Sequence, residues 1–259
     1  MITDPYFYVV AIPAVLFVGL SKGGFGGAMA LFGVPLMALA VSPVQAAAIM
    51  LPILIVMDIV SLWTWRAERD TTTLRLMLPG AILGIGIGWA TAAYVTEGLI
   101  RLIVGLVALW FAVTYFIGRW RERRRSGTAI ARSHNPVRAT VWGTLTGFTS
   151  FVSHAGGPPY QIYALPLRQD PKVYTGTSVR FFAIINAVKL VPYFALGQFD
   201  AANLKTSLAL APLAPVATLA GAYIVRRLNA ALFYPLMYFM VLLTSLKLIA
   251  DGAQAYLPG

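Results

Sequence analysis

The sequence predicts an all-α integral membrane protein made of two inverted repeats. Each repeat has about five helical segments and begins with a Gly-rich broken, re-entrant helical hairpin. Three observations predict this. First, 59% of the 259 residues are hydrophobic and only 11% are charged, against about 45–50% and about 25% in a soluble domain; so few charges cannot cover a water-facing surface. Second, six stretches (43–65, 74–95, 98–120, 173–196, 204–225 and 230–250) are apolar over the roughly 20 residues that a helix needs to cross about 30 Å of hydrocarbon. Third, two longer apolar stretches, 6–41 and 139–167, are each interrupted by a glycine-rich cluster.

At the N-terminus, residues 1–5 hold no Lys or Arg, and Asp4 is acidic where a secretory signal would be basic. The first apolar stretch therefore reads as retained. It is broken by Ser21-Lys22-Gly23-Gly24-Phe25-Gly26-Gly27, and its counterpart by Ser153-His154-Ala155-Gly156-Gly157-Pro158-Pro159. Clusters of this kind do not continue a regular helix. Unwound backbone at membrane depth survives only where protein or a watery cavity satisfies its polar groups. Matching breaks in the two halves of a chain are the sequence pointer to a transporter's central binding site.

The halves do match. A shift of 131 residues sets Lys22-Gly23 on Ser153-His154, Gly26 on Gly157 and Pro35 on Pro166. With a short gap, Asp58 falls on Asn186 and Ser61 on Lys189; at a shift of 133, Pro79 meets Pro212 and Gly88 meets Gly221. The expected organisation is a first transmembrane repeat at 1–120, a basic linker at 121–137 and a second repeat at 138–259. From Arg119 to Arg138 the chain carries seven arginines and one acid, Glu122, which places the linker on the cytoplasmic side of a bacterial-type inner membrane. Arg168, Lys172, Arg226 and Arg227 fall on that same side only if 139–167 enters and returns, so both broken stretches are read as hairpins and both termini as outward-facing. The net charge of +11 is read as topology anchoring and attraction to anionic headgroups, not as a nucleic-acid surface.

The absence of cysteine and the presence of only two histidines, His134 and His154, exclude disulfides, thiolate chemistry and a multi-histidine metal site. No cofactor and no metal is expected. After each break a helix is expected to restart, near Gly27–Ala28 and near Pro158–Tyr160, where proline suits the first turn. Helix starts offer free N–H groups and a partial positive charge to an anion, and glycine lets a ligand touch the backbone. The expected anion-binding groups are Lys22, Gly23, Gly24, Gly26, Gly27, Ser153, His154, Gly156 and Gly157, with Arg180 and Asn186 on the following helix. Lys22 is read as a direct charge partner of the ligand or as the ion-pair partner of Asp58. Asp58, the one acid deep in a span, and His154 are candidates for ion coupling or for structural pairing. Asn186 and Lys189, at i and i+3, share a face. Gln45 is a further polar candidate, and Glu97–Arg101 and Lys247–Asp251 read as anchoring pairs.

The run Gly19-Leu20-Ser21-Lys22-Gly23-Gly24-Phe25-Gly26-Gly27 followed by Pro35 resembles the TauE/SafE family, the sulfite exporters of the toluene sulfonate uptake permease superfamily. His154-Ala155-Gly156-Gly157-Pro158-Pro159 resembles that family's second-half motif, and Pro79 with Gly84 and Gly88 its glycine-spaced helix. The resemblance covers nearly the whole chain. It implies a small sulfur oxyanion or C2 organosulfonate as substrate; the residues alone imply only a small anion, and a carboxylate stays open. An intramembrane enzyme finds no support, since there is no His-Glu-x-x-His helix, serine elbow or pair of buried acids. An accessory subunit would have no use for twin interior breaks. No nucleotide-binding loop is present, so transport is expected to be secondary. Neither the direction of transport nor the oligomeric state follows from the sequence.

Overall fold

The computed structural model describes residues 1–25, 33–91, 94, 96–125, 131–195 and 200–256, with backbone alone at 43, 44, 97 and 121–125. Every regular element among them is helical: α1 (Pro5–Gly24), α2 (Gly33–Met37), α3 (Pro43–Thr64), α4 (Thr71–Thr91), α5 (Glu97–Arg125), α6 (Pro136–Ser153), α7 (Gly157–Ala164) with a 3-10 turn at Leu165–Leu167, α8 (Pro171–Ala195), α9 (Ala201–Leu210), α10 (Leu213–Arg226) and α11 (Ala230–Gln254). The starts follow local chemistry. Asp4, Ser42 and Asn135 each accept a backbone N–H of the first turn and are each followed by proline at the helix start. Asp200 and Asn229 cap α9 and α10's successor α11 in the same way. The side-chain oxygen satisfies a backbone donor that a helix start leaves over, and proline has no such donor to lose.

Among the described residues, six helices are long and apolar enough to cross a membrane: α1, α3, α4, α5, α8 and α11. The chain is a multi-pass membrane protein. The expected unbroken span at 204–225 is instead two helices, α9 and α10, bent by 47°. The cause is local. Pro212 sits between them and Pro215 lies in the next turn, so two backbone donors are missing where the ladder would have to continue.

The chain divides into two compact units, each drawing on both halves of the sequence. One comprises Met1–Leu74 and Pro171–Leu228, the other Arg75–Asp170 and Asn229–Gly259. In the first, α1 packs against α10 backbone to backbone: a methyl group on Gly23 would overlap the carbonyl of Thr218, and one on Gly221 the carbonyl of Leu20. In the second, α4 and α6 make the same kind of crossing, with Gly84 against the carbonyl of Thr144 and Gly147 against that of Ala81. Small residues at such crossings let two helices approach closely enough for extensive van der Waals contact, the main source of helix affinity in lipid.

Both broken stretches double back. The N–H of Arg132, before α6, donates to the carbonyl of Pro166, after α7, at 2.9 Å. Chain entering the hairpin therefore lies beside chain leaving it. In the first unit Gly33, at the start of α2, returns to the level of Val18 in α1, where even a Cβ would strike the valine side chain. The first break begins later than the sequence suggests, since Ser21, Lys22, Gly23 and Gly24 are the last turn of α1 and the bend comes at Phe25. Gly26, Gly27 and the helix restart expected near Gly27–Ala28 lie outside the described residues.

Candidate functional site

A helix that ends inside an apolar core leaves carbonyls that must find donors. At the end of α1 three neighbouring side chains supply them. Ser61 Oγ donates to the carbonyl of Lys22 (3.1 Å), Trp65 Nε1 to that of Gly23 (2.8 Å) and Thr175 Oγ1 to that of Gly24 (3.3 Å). The N–H of Phe25 closes on Ser21. These donors come from α3, its C-cap and α8, which explains why the glycines stay helical here: the cap is tertiary.

The side chain of Lys22 projects from this last turn, where the negative end of the helix favours a cation. Its Nζ lies 2.6 Å from Asp58 Oδ1 and 5.7 Å from the centre of the Phe182 ring. Asn186 Nδ2 donates to the other oxygen, Asp58 Oδ2, at 2.7 Å. The structure thus joins the two residues that the internal alignment superposes, Asp58 and Asn186. Lys189 is one turn further along α8, and its side chain is within electrostatic range of Lys22 and Asp58. The four side chains are deeply buried, from 8% exposed at Lys22 to 1% at Lys189. Lys22 is ion-paired to Asp58, Asn186 holds the other carboxylate oxygen, and Lys189 stands beside the pair.

Arg180 has a different task. Its Nη1 lies 2.7 to 2.9 Å from the carbonyls of Glu68, Gly176 and Trp65, and its Nη2 donates to that of Arg66 at 2.7 Å. It caps the end of α3 and the segment after it, and is not a member of the Lys22 cluster. Gln45 Nε2 is bonded to Asn203 Oδ1 at 3.1 Å. Lys247 forms its pair with Asp251 at 2.9 Å, whereas the Glu97 side chain lies outside the described residues.

The second break belongs to the other unit. After α6 ends at Ser153, His154 adopts the left-handed conformation (φ 54°), and its N–H and that of Ala155 close on the carbonyl of Thr149. Ser153 Oγ donates to the same carbonyl at 3.2 Å. Thr149 Oγ1 donates to Leu145 at 2.7 Å and stands 3.2 Å from the carbonyl of Ala155. Gly156 is then the N-cap of α7, with Gly157, Pro158 and Pro159 in its first turn, as the sequence suggests. The hydroxyl of Ser153 and the backbone of Gly156 and Gly157 are buried, and His154 is half-buried.

With this geometry in place, comparison with known proteins is decisive for the family. A family model described as sulfite exporter TauE/SafE matches residues 11–248. The chain belongs to that family. No curated protein and no solved structure gives a match. The TauE/SafE match takes in both breaks and every residue of the Lys22 cluster. It is a family of membrane transporters, in accord with the apolar helices and the internal motif pair.

Lys189, Ser61, Trp65 and Thr175 were not among the expected site residues. Lys189 carried a readable signal, a lysine at span depth three residues after Asn186. The other three carried none, because a capping hydroxyl or indole in a span looks like any other until the helices are packed.

Proposed function

We propose that this TauE/SafE chain is a secondary transporter for a small sulfur-containing anion, sulfite or a C2 organosulfonate, taken up beside the Lys22–Asp58–Asn186–Lys189 cluster. One observation carries the reading: the cluster gathers two buried lysines, Lys22 and Lys189, beside Asp58 and Asn186. Buried lysine and amide donors replace the water that a small oxyanion sheds on entering an apolar interior. Lys22 and Asn186, held on opposite oxygens of Asp58, orient that carboxylate, and Lys189 supplies the positive charge for the ligand. Asp58 is the group assigned to ion coupling, because it is the one carboxylate in contact with both Lys22 and Asn186. The family's name supports sulfur as the central atom. The linker, with its arginines, is assigned to the cytoplasmic side of the inner membrane.

Reconstituted vesicles and a thermal-shift panel of sulfite, sulfate, taurine, isethionate, sulfoacetate and acetate test this, since a ligand stabilises the fold it binds. Sulfite or a sulfonate is expected to raise the melting temperature and to be carried across the bilayer. Loss of a charge-assisted contact costs about 1.5–3 kcal/mol, so Lys189→Met should weaken binding roughly 10- to 100-fold. Equal stabilisation by acetate would replace the sulfur anion with a general carboxylate. Wild-type binding by folded Lys189→Met would remove the cluster as the site.

A further inference from the structure

The second unit holds a cavity of about 520 Å³ between α5, the α6–α7 hairpin and α11. Three arginines line it from three separate places in the chain: Arg132 at the end of the linker, Arg138 in the first turn of α6, and Arg168 immediately after the 3-10 turn. No carboxylate is among the described residues that line it. None of the three guanidinium groups has a hydrogen-bonded or ion-paired partner among the described residues. Arg168 reaches the cavity from a left-handed backbone conformation (φ 49°) that a non-glycine residue adopts at a cost. Arg138 puts a cation into a helix's first turn, the end whose dipole disfavours it. Both are local penalties that a bound anion would offset.

The rest of the wall is apolar and aromatic. Tyr115 is stacked flat on Tyr238 at 3.5 Å, and Tyr238 is within electrostatic range of Arg168 and Arg132. Trp110 and Val107 continue the wall into the apolar stretch of α5, about 12 Å of helix from Tyr115. Trp110 is 73% exposed, so the groove is open along the outer face of the helix. A free oxyanion would occupy the arginine end alone. A phospholipid uses both ends, with the headgroup phosphate among the guanidinium groups and an acyl chain along Val107 and Trp110. Arginine's planar fork matches phosphate oxygens, and basic pockets between transmembrane helices are suited to anionic headgroups.

We propose that this cavity binds the headgroup phosphate of an anionic phospholipid. The test is native mass spectrometry of the full chain in detergent, titrated with phosphatidylglycerol, phosphatidylcholine and inorganic phosphate. The expected result is selective retention of phosphatidylglycerol, not displaced by inorganic phosphate. Arg168→Gly, which suits the backbone conformation, and Arg138→Gln should each weaken retention roughly fivefold. Arg69→Gln, which removes a charge elsewhere, should leave it unchanged. Arg132→Gln, in an irregular segment, keeps the test open if either other variant fails to fold. Equal retention of the two lipids, or undiminished phosphatidylglycerol binding in the folded variants, would overturn the proposal. Displacement of the lipid by inorganic phosphate would also overturn it, giving the arginines to a free oxyanion.

Discussion

The first and second breaks use similar residues, glycine pairs beside a serine, yet they end their helices by different means. At the first, the carbonyls of Lys22, Gly23 and Gly24 receive donors from Ser61, Trp65 and Thr175 on other elements. At the second, the turn is closed by the N–H groups of His154 and Ala155 on Thr149, with hydroxyls of the same helix beside them. The tertiary cap lets the helix keep its geometry to the last residue and present a lysine to Asp58. The local cap needs a left-handed residue and leaves neutral hydroxyls at the turn. A helix end capped by its neighbours can thus hold a buried ion pair, while one closed by its own backbone N–H groups turns the chain.

The sharpest way to break this comparison is to remove the carboxylate. Asp58→Ala leaves the buried Lys22 without its ion-pair partner, and loss of one member of a buried ion pair costs about 3–5 kcal/mol. The folded yield of the variant should collapse, and Asp58→Ala with Lys22→Met should recover much of it. Ser153→Ala at the second break loses one neutral hydrogen bond, about 0.5–1.5 kcal/mol, and should remain folded. Thermal melting in detergent checks all three. Equal losses for Asp58→Ala and Ser153→Ala would show that the two ends do not differ in kind.

The next effect is the cap itself. Trp65→Phe keeps an aromatic six-membered ring but removes the N–H that reaches the carbonyl of Gly23 along with the rest of the pyrrole ring of a fully buried indole; the unsatisfied buried acceptor costs about 1–3 kcal/mol, and the smaller side chain adds to that. The melting temperature should drop accordingly, with the anion affinity affected less than by Lys189→Met. No change in stability would mean that water or another donor takes over the carbonyl, and that the cap is not tertiary after all.

This division also decides what could be read in advance. The second break was legible to within a residue or two: Gly156-Gly157-Pro158-Pro159 states a helix start in local terms, expected near Pro158–Tyr160 and found at Gly157. The first was misplaced by a few residues, because glycine next to glycine signals a break only until Trp65 and Thr175 are packed against it. Asp58 and Asn186 were visible as polar residues in apolar runs, and the pairing of Lys22 with Asp58 was among the expected readings, but the bond from Asn186 to Asp58 was not. The direction of Arg180 was not visible, since its acceptors are backbone carbonyls with no sequence signature. The bend between α9 and α10 was written in Pro212 and Pro215, but a hydropathy window averages over prolines and reads a single span.

The smallest effect tests the backbone of the second break. His154 holds φ at 54°, a region where glycine is comfortable and other residues are strained. His154→Gly relieves that strain, while the extra freedom glycine gives the unfolded chain offsets part of the gain; a shift within about 1 kcal/mol, in the stabilising direction, is expected. Lys22→Gly, at the end of α1, should act oppositely, because its backbone is helical and the substitution discards the ion pair with Asp58. Melting curves of the two variants side by side read the difference. Flux then separates the turn from the imidazole: a His154→Gly protein that is as stable as wild type but no longer transports assigns the histidine ring a role in transport, whereas preserved flux reduces His154 to the residue that turns the chain.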